Sequence, residues 1–433
     1  MQTTFTYNDS NGKTKLWCEG VELEQVTSLY GTPLYVYSKA QLLANLREFT
    51  EALQKFSDRG DYVSYAVKAN SNQEILKILA SEGAGADVVS GGELLAALKA
   101  GFAPKKITYD GPGKTKREIT LALEKDIYGF NVESLEEIDT IDAIAGSLGK
   151  KVKISIRVNP DVDAKSHPYI STGMREHKFG IDIHNALDAY RYAAEKANII
   201  IAGIHSHIGS QVTELDPFVK AARSSVVFVN ILRSKGIELE NLNIGGGQAV
   251  HYHDVVTHPL LPSDSSDDKE PQAIPALHEY VEAVMPILSE AGLRVMFEPG
   301  RAIVANTAIL LTEVLYKKSN PEKTFVIADA GMSDLIRPSL YQAYHQIAPL
   351  ALEQREPQKV DIVGPICESG DYLALSRVLP SIGKGELLAV MCTGAYGYVM
   401  SSNYNLRPKP AEIMIDGEKH YCIREREKIE DII

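Results

Sequence analysis

Four short stretches of this 433-residue chain combine residue types that do chemistry. The first is Tyr65-Ala66-Val67-Lys68-Ala69-Asn70, in which a lysine closes an apolar run. An amine in that position is costly to bury unpaired, and burial lowers its pKa toward the range of a nucleophile. Lys68 therefore reads either as a Schiff-base lysine or as a rim lysine paired with a carboxylate. The second stretch is His205-Ser206-His207-Ile208-Gly209-Ser210. Period-two spacing puts both imidazoles on one face of a strand, as a metal pair or as hydrogen-bonded core histidines. No third ligand stands nearby in the sequence. The third is Gly245-Gly246-Gly247, whose N–H groups can approach a ligand closely, phosphate above all, or which forms a tight turn. The fourth, Glu298-Pro299-Gly300-Arg301, sets a carboxylate beside a guanidinium. His251, His253 and His258 read as surface residues of a variable-looking loop.

These stretches need elements to hold them. Short apolar runs at Tyr62–Val67, Ala86–Val89, Lys106–Tyr109, Ile127–Val132, Val152–Val158, Ile200–His207, Leu242–Ile244 and Val295–Phe297 are rich in β-branched or aromatic residues and end near Gly, Asn, Ser or Pro. Amphipathic stretches at Gln73–Glu82, Glu93–Ala100, Lys116–Glu124, Leu135–Leu148 and Phe218–Lys235 lie between them. Strand–helix alternation implies parallel βαβ units. Eight runs suit a (β/α)8 barrel over residues 33–301, with an open doubly wound sheet as the competing topology. Beyond residue 301 the texture changes to strands at Thr307–Lys317, Thr324–Ala328, Val360–Val363, Glu386–Met391 and Glu412–Ile415. Residues 16–29 also look strand-like. A second, β-rich domain of residues 1–32 and 302–433 is expected, so the fold class is α/β plus β. The polar, acidic stretch Pro262–Gln272 reads as a solvated loop.

In a parallel barrel, functional residues sit at the C-terminal ends of the strands, and a phosphate site after the late strands is recurrent. Ser210, the three glycines and the Gly300–Arg301 turn converge on such a site. A phosphate site joined to a strand-end lysine points to pyridoxal phosphate, an electron sink tuned by a carboxylate near its ring nitrogen. Composition narrows the remaining classes. With 45 Lys+Arg against 57 Asp+Glu the formal charge is 45 − 57 = −12, which speaks against a nucleic-acid or anionic-membrane binder. Cys18, Cys367, Cys392 and Cys422 have no CxxC spacing, so neither a disulfide framework nor a zinc ribbon is expected. No apolar run approaches the ~18 residues of a membrane helix, and no signal peptide opens the sequence. A cytoplasmic protein without a metal is the expectation.

The motifs together resemble the fold-type III pyridoxal-phosphate decarboxylases. The resemblance is carried by YAVKAN (65–70), GADVVSGGEL (85–94), HPYISTG (167–173), HKFGI (177–181), GIHSHIGSQ (203–211), NIGGG (243–247), EPGR (298–301), RPSLYQAYH (337–345), GPICESGD (364–371) and GAYGYVMSSNYN (394–405). It implies a barrel followed by a β domain that contributes to a homodimer and its active sites. Lys68 would hold the cofactor as an internal aldimine, with Asp87 nearby, and His207 would stack on its ring. Ser210, Gly245, Gly246, Gly247, Gly300 and Arg301 would bind the phosphate, assisted by Tyr396. Glu298 would pair with the pyridine nitrogen, where racemases of this fold carry an arginine, which favours decarboxylation. Cys367 and Glu368 would reach the site of the partner subunit. Cys367 would supply the proton that replaces the departing carboxylate, since a thiol in water is mostly protonated near neutrality. Without the resemblance Cys367 reads as a small apolar core residue.

Glu368 could hold a distal ammonium, while Arg301, Arg337 and Tyr341, beside Tyr396, could hold a distal carboxylate. The substrate implied is meso-2,6-diaminopimelate, decarboxylated at its D-centre to give L-lysine and CO2 as the last step of lysine biosynthesis. The rival is a relative acting on D-lysine, D-ornithine or D-arginine. A catalytically dead regulator is the rival from another class, but it should have lost Lys68 or the Cys367–Glu368 pair. Two departures bear on substrate choice. Gln248-Ala249-Val250 stands where the family usually has Leu-Gly-Ile, and His177 stands where Ser or Asn is common.

Overall fold

The computed structural model describes residues 3–10, 12–56, 59–160, 162, 178–262 and 273–433. The motif at 167–173, His177 and all but the first residue of the acidic stretch at 262–272 lie outside the described residues. Two compact units are formed, one from Asn45–Ala249 and Ala273–Ala302, the other from Met1–Ala44, Val250–Gln272 and Ile303–Ile433.

The first unit is a closed parallel barrel. Its strands are β1 (Tyr62–Ala66), β2 (Gly85–Val88), β3 (Ile107–Tyr109), β4 (Gly129–Val132), β5 (Val152–Asn159), β6 (Ile199–His205), β7 (Asn241–Asn243) and β8 (Arg294–Phe297). Each pairs in parallel with the next in the chain, and β8 returns to β1 through Met296 and Phe297 opposite Tyr62 and Val63. That closing pair excludes the open sheet. The strands coincide with the eight apolar runs to within a few residues. The helices Gln73–Ser81, Gly91–Ala100, Lys116–Glu124 and Leu135–Ser147 start where Asn72, Ser90, Thr115 and Ser134 cap the first turn through their side chains. A cap so soon after each strand keeps the βα connections short and the strand ends at one mouth.

Alternation along the strands sorts the side chains. Tyr109, Phe130, Ile154, Ile156 and Leu242 are buried apolar residues. Between them stand the buried polar residues Thr108, Asp110, Asn131, Ser155, Arg157, Asn241 and Asn243. The polar set faces the barrel axis, as Ser155 on β5 meeting Asn241 on β7 at 3.4 Å demonstrates.

The second unit is β-rich. Leu34–Ser38 pairs antiparallel with Ala308–Ser319 and parallel with Ala411–Asp416, joining the start of the chain to its end. Phe5, Leu16, Leu23, Val36, Ile309, Leu311 and Ile413 lie in its core. Residues 16–29 are strand only in part. Lys13–Cys18 and Val21–Glu22 are strands, but Leu23–Tyr30 is a helix. The reason is its period, since Leu23, Val26 and Thr27 are the buried residues, at three- and four-residue spacing. His253 also departs from the surface reading, because its ring stacks on Tyr344 at 3.5 Å and both ring nitrogens are buried.

Gly129 opens β4 because a β-carbon there would collide with the Lys153 carbonyl of β5. Gly129→Ala is expected to lower stability by about 1–3 kcal/mol, the usual cost of forcing an atom into a packed interior. A fall in the thermal unfolding midpoint without a change of circular-dichroism shape would be the signature.

Candidate active site

The mouth of the barrel gathers Lys68, Asp87, His207, Ser210, Gly245, Gly246, Gly247, Glu298, Gly300 and Arg301. Lys68 stands in a single 3-10 turn, Val67–Ala69, directly after β1. Its ammonium lies 2.9 Å from Asp87 Oδ2, with the lysine side chain 41% exposed and the aspartate 0%. The carboxylate is therefore fixed within β2 while the amine reaches the open side. Both readings of Lys68 meet here, because it is paired with a carboxylate and still accessible. Glu93, in the following helix, has its carboxyl pushed up to about 7 by burial, against an N–H from Val89.

The loops after β6, β7 and β8 interlock. Val212 N–H donates to Gly247 O at 2.9 Å, and Ala249 N–H donates to Val212 O at 3.2 Å. Glu298 N–H donates to Gly245 O at 2.8 Å. A β-carbon at Gly246 would collide with the Glu298 carbonyl, and one at Gly247 with the Gly209 carbonyl. Gly245 and Gly247 have φ of +67° and +114°, which L side chains rarely adopt. This is a cradle in which only glycine fits. Beside it Arg301 donates to Ser210 Oγ through Nη2 at 3.0 Å and Nε at 3.3 Å. Gly300 packs on the β1 end, where a β-carbon would lie 3.0 Å from that of Ala69.

His205 is buried and His207 half-buried, and both are neutral, for different neighbours. Burial, then the cations Arg157 and Lys68, hold His207 well below the usual imidazole range. Its Nδ1 accepts from Gly246 N–H at 3.2 Å, which ties the ring to the cradle. Burial brings His205 down to about 4. Its Nε2 meets Glu298 Oε2 at 3.0 Å. Glu298 Oε1 accepts from Asn243 Nδ2 at 2.5 Å and from Asn131 Nδ2 at 3.3 Å. Burial, with the nearby Asp87 charge, still pushes the Glu298 carboxyl up to about 8.

Asp110, His205 and Glu298 have ligand atoms within 4.8 Å of one another, a spacing a metal could use. The amide N–H groups of Asn243 and Asn131 aimed at the same carboxylate suit an anion held by donors instead. Asp110, Asn131 and Asn243 were not singled out in the sequence. Their signal was a polar residue at each inward position of a barrel strand.

The second unit carries Arg337, Tyr341, Cys367, Glu368 and Tyr396. Arg337 is buried, with one guanidinium nitrogen 2.7 Å from His345 Nε2 and the group 4.8 Å over the Tyr252 ring. His345 Nδ1 meets Met391 O at 2.7 Å, so that nitrogen carries the proton and Nε2 accepts from the arginine. Tyr341, in the same short helix Arg337–Tyr341, is half-buried. Cys367 is exposed, not a core residue, and so is Glu368. Asp371 shapes their turn by accepting N–H bonds from Ile366 at 2.7 Å and Met332 at 2.6 Å. Tyr396 has φ of +57°.

Residues 40–305 match the family model of the pyridoxal-dependent decarboxylases, over the pyridoxal binding domain. The chain belongs to the pyridoxal-dependent decarboxylases. Among relatives of this family, the diaminopimelate decarboxylase of Aquifex aeolicus is 45% identical over 97% of this chain and 95% of its own. The crystal structure of diaminopimelate decarboxylase from Helicobacter pylori complexed with L-lysine has a TM-score of 0.86 at 40% identity, covering 95% of this chain and 98% of that one. The M. jannaschii enzyme in co-complex with L-lysine gives 0.90 at 35%, covering 100% and 98%. The cofactor of a pyridoxal-dependent decarboxylase is pyridoxal phosphate, and the barrel mouth suits it. The glycine cradle fits a phosphate, the accessible amine of Lys68 fits an aldehyde, and the donor-wrapped carboxyl of Glu298 fits a protonated ring nitrogen.

The raised carboxyl of Glu298 makes a stability statement. Glu298 and Asp110 are both pushed up to about 8 and lie together, so the cofactor-free fold binds the proton of the pair more tightly than the unfolded chain does. Its contribution is full below pH 4.5 and is lost as pH rises through about 8. Glu298→Gln in cofactor-free protein should therefore flatten the decline of the unfolding midpoint between those pH values relative to wild type. Parallel declines in the two proteins would place that proton elsewhere.

Proposed function

We propose that this protein is a diaminopimelate decarboxylase, converting meso-2,6-diaminopimelate to L-lysine and CO2 at the D-centre. The observation that carries the reading is the Glu298 carboxyl, buried within the barrel and wrapped by donors from His205, Asn243 and Asn131. The near full-length similarity to enzymes of that name, two of them described with L-lysine bound, supports the substrate. Pyridoxal phosphate, when bound, supplies a sink for the electron pair released as the carboxylate leaves. Every other part of the task falls to this chain. Lys68 is the amine for the cofactor aldehyde, and Asp87 keeps it oriented. His207, neutral and tied to Gly246, offers a flat apolar face to the ring. Ser210, Gly245, Gly246, Gly247, Gly300 and Arg301 bind the phosphate, with Tyr396 assisting. Glu298 holds the negative charge that keeps the ring nitrogen protonated.

Cys367 holds the proton that replaces the carboxylate. Glu368 takes the distal ammonium, and Arg301, Arg337 and Tyr341 take the distal carboxylate. The guanidinium of Arg337 is fixed by His345 and Tyr252, so it is oriented before any substrate arrives. The functional assembly is a homodimer in which Cys367 and Glu368 serve the partner's site. Their exposure supports this, as do the exposed Tyr404 and Leu406 flanking Asn405, whose side chain accepts from Cys367 N–H at 3.1 Å. The setting is the cytoplasm. No disulfide joins the four cysteines, and no helix among the described residues is long and apolar enough to cross a membrane.

The test is CO2 release with added pyridoxal phosphate from meso-diaminopimelate, D-lysine, D-ornithine, D-arginine and L-ornithine. Preference for meso-diaminopimelate by about 10⁴-fold, with L-lysine as product, is expected of a site that would otherwise bury an unmatched arginine. Equal turnover of D-lysine would overturn the substrate while leaving the cofactor in place. The shared site has its own test. Lys68→Ala and Cys367→Ala, each inactive alone, should recover up to about a quarter of wild-type activity when subunits are mixed and exchanged, because one site in four then has both residues in a statistical mixture of dimers. No recovery after exchange shown by mass would refute the homodimer arrangement.

A further inference from the structure

One carboxyl of the barrel plays no part in the reading above. Asp110 follows β3 and is buried, and its Oδ1 accepts from Asn131 Nδ2. Its Oδ2 lies 3.7 Å from His205 Nε2, the same nitrogen that sits 3.0 Å from Glu298 Oε2. Asn131 likewise serves both carboxyls, reaching Glu298 Oε1 at 3.3 Å. Two acidic groups thus share two donors in the buried interior of the barrel. The charges near them are otherwise matched, Lys68 with Asp87 at 2.9 Å and Arg157 with Glu133 at 3.1 Å. Among the described residues no lysine or arginine pairs with Asp110.

The imidazole settles which carboxyl receives its proton. His205 Nδ1 is buried without a hydrogen-bond partner. A bare lone pair is easier to leave there than an N–H, so the single proton of the neutral ring belongs on Nε2. From Nε2 the nearer acceptor is Glu298. Glu298 then has three donors, from His205, Asn243 and Asn131, and Asp110 has one. Donors favour the ionised form, and two buried carboxyls this close do not both ionise.

We propose that Asp110 keeps a proton in the working enzyme and that His205 and Asn131, as positioning residues, direct the one negative charge of the cluster onto Glu298. The inference rests on the cofactor reading of Glu298 and adds to it a reason why that residue, and not its neighbour, is the anion. Burial and the Glu298 charge push the Asp110 carboxyl up to about 8, in the same sense. The pair titrates as a unit, so adding a cation beside Glu298 fixes the proton on Asp110.

Infrared spectroscopy of the cofactor-loaded wild type at pH 7 tests this without any substitution. A protonated-acid C=O stretch should be present and should shift when the protein carries carboxyl-13C aspartate, but not carboxyl-13C glutamate. Asp110→Asn should lack the band. Absence of an acid band in wild type, or a band that moves only with labelled glutamate, overturns the proposal. The visible band of the loaded sample, measured first, reports cofactor uptake separately. For His205, dissociation of pyridoxal phosphate is compared in His205→Gln, which keeps an N–H near Glu298, and His205→Leu, which does not. The leucine variant should bind about tenfold more weakly than the glutamine variant, the effect of a hydrogen bond to a charged group. Equal losses would reduce His205 to a space-filler.

Discussion

A carboxylate inside a closed parallel barrel is stable only where a cation or several donors meet it, and this constraint organises the whole mouth of the molecule. Asp87 is answered by Lys68, Glu133 by Arg157, and Glu298 by an imidazole and two amides. Each answer comes from another strand or from the turn that ends it, so the acidic residues tie the strand ends to one another. Removing one partner would strand a charge, which costs far more than losing a surface pair. The chemistry of the site uses the same groups. The amine that suits the cofactor is the one that neutralises Asp87, and the acid that suits the ring nitrogen is the one the amides hold.

Charge alone would not place a cofactor, and steric exclusion does the rest. The glycines after β7 bring the backbone against the Glu298 and Gly209 carbonyls, closer than any side chain permits. The bridge from Val212 to Gly247 and Ala249 joins the loops after β6 and β7. Arg301 and Ser210 complete that corner by a direct hydrogen bond. A phosphate therefore meets donors already arranged, and little ordering is left for the binding event.

Much of this is legible in the residues. The eight strands announce themselves as β-branched runs ending in Gly, Asn or Ser, and the helices by their caps. Lys68, the triple glycine and Glu298 are legible because each is an unusual residue type at a strand end. Asp110, Asn131 and Asn243 are not. A single polar residue in a short strand looks the same whether it faces solvent or the barrel axis, and only closure of the sheet decides. Leu23–Tyr30 misleads for a related reason, since the helical stripe of Leu23, Val26 and Thr27 shows only once burial tells which of its residues face the core. Leu34–Ser38 goes unnoticed because all five residues are buried, leaving no alternation to detect. Cys367 misleads by composition, because an exposed thiol carries no sequence mark.

The strand Leu34–Ser38 lies between Ala308–Ser319 and Ala411–Asp416. Both partners are supplied by chain made long after it. During synthesis the residues between can close the barrel as one unit, since a parallel βαβ chain needs only its own consecutive neighbours. Leu34–Ser38 has no such choice. It leaves the ribosome with both edges open, one until Ala308–Ser319 emerges and the other until Ala411–Asp416 does, a long wait for an apolar surface that can pair with any other chain. Seating this strand between two late segments thus leaves it exposed longest, and makes Ala411–Asp416, far from it in sequence, the strand whose arrival ends that exposure.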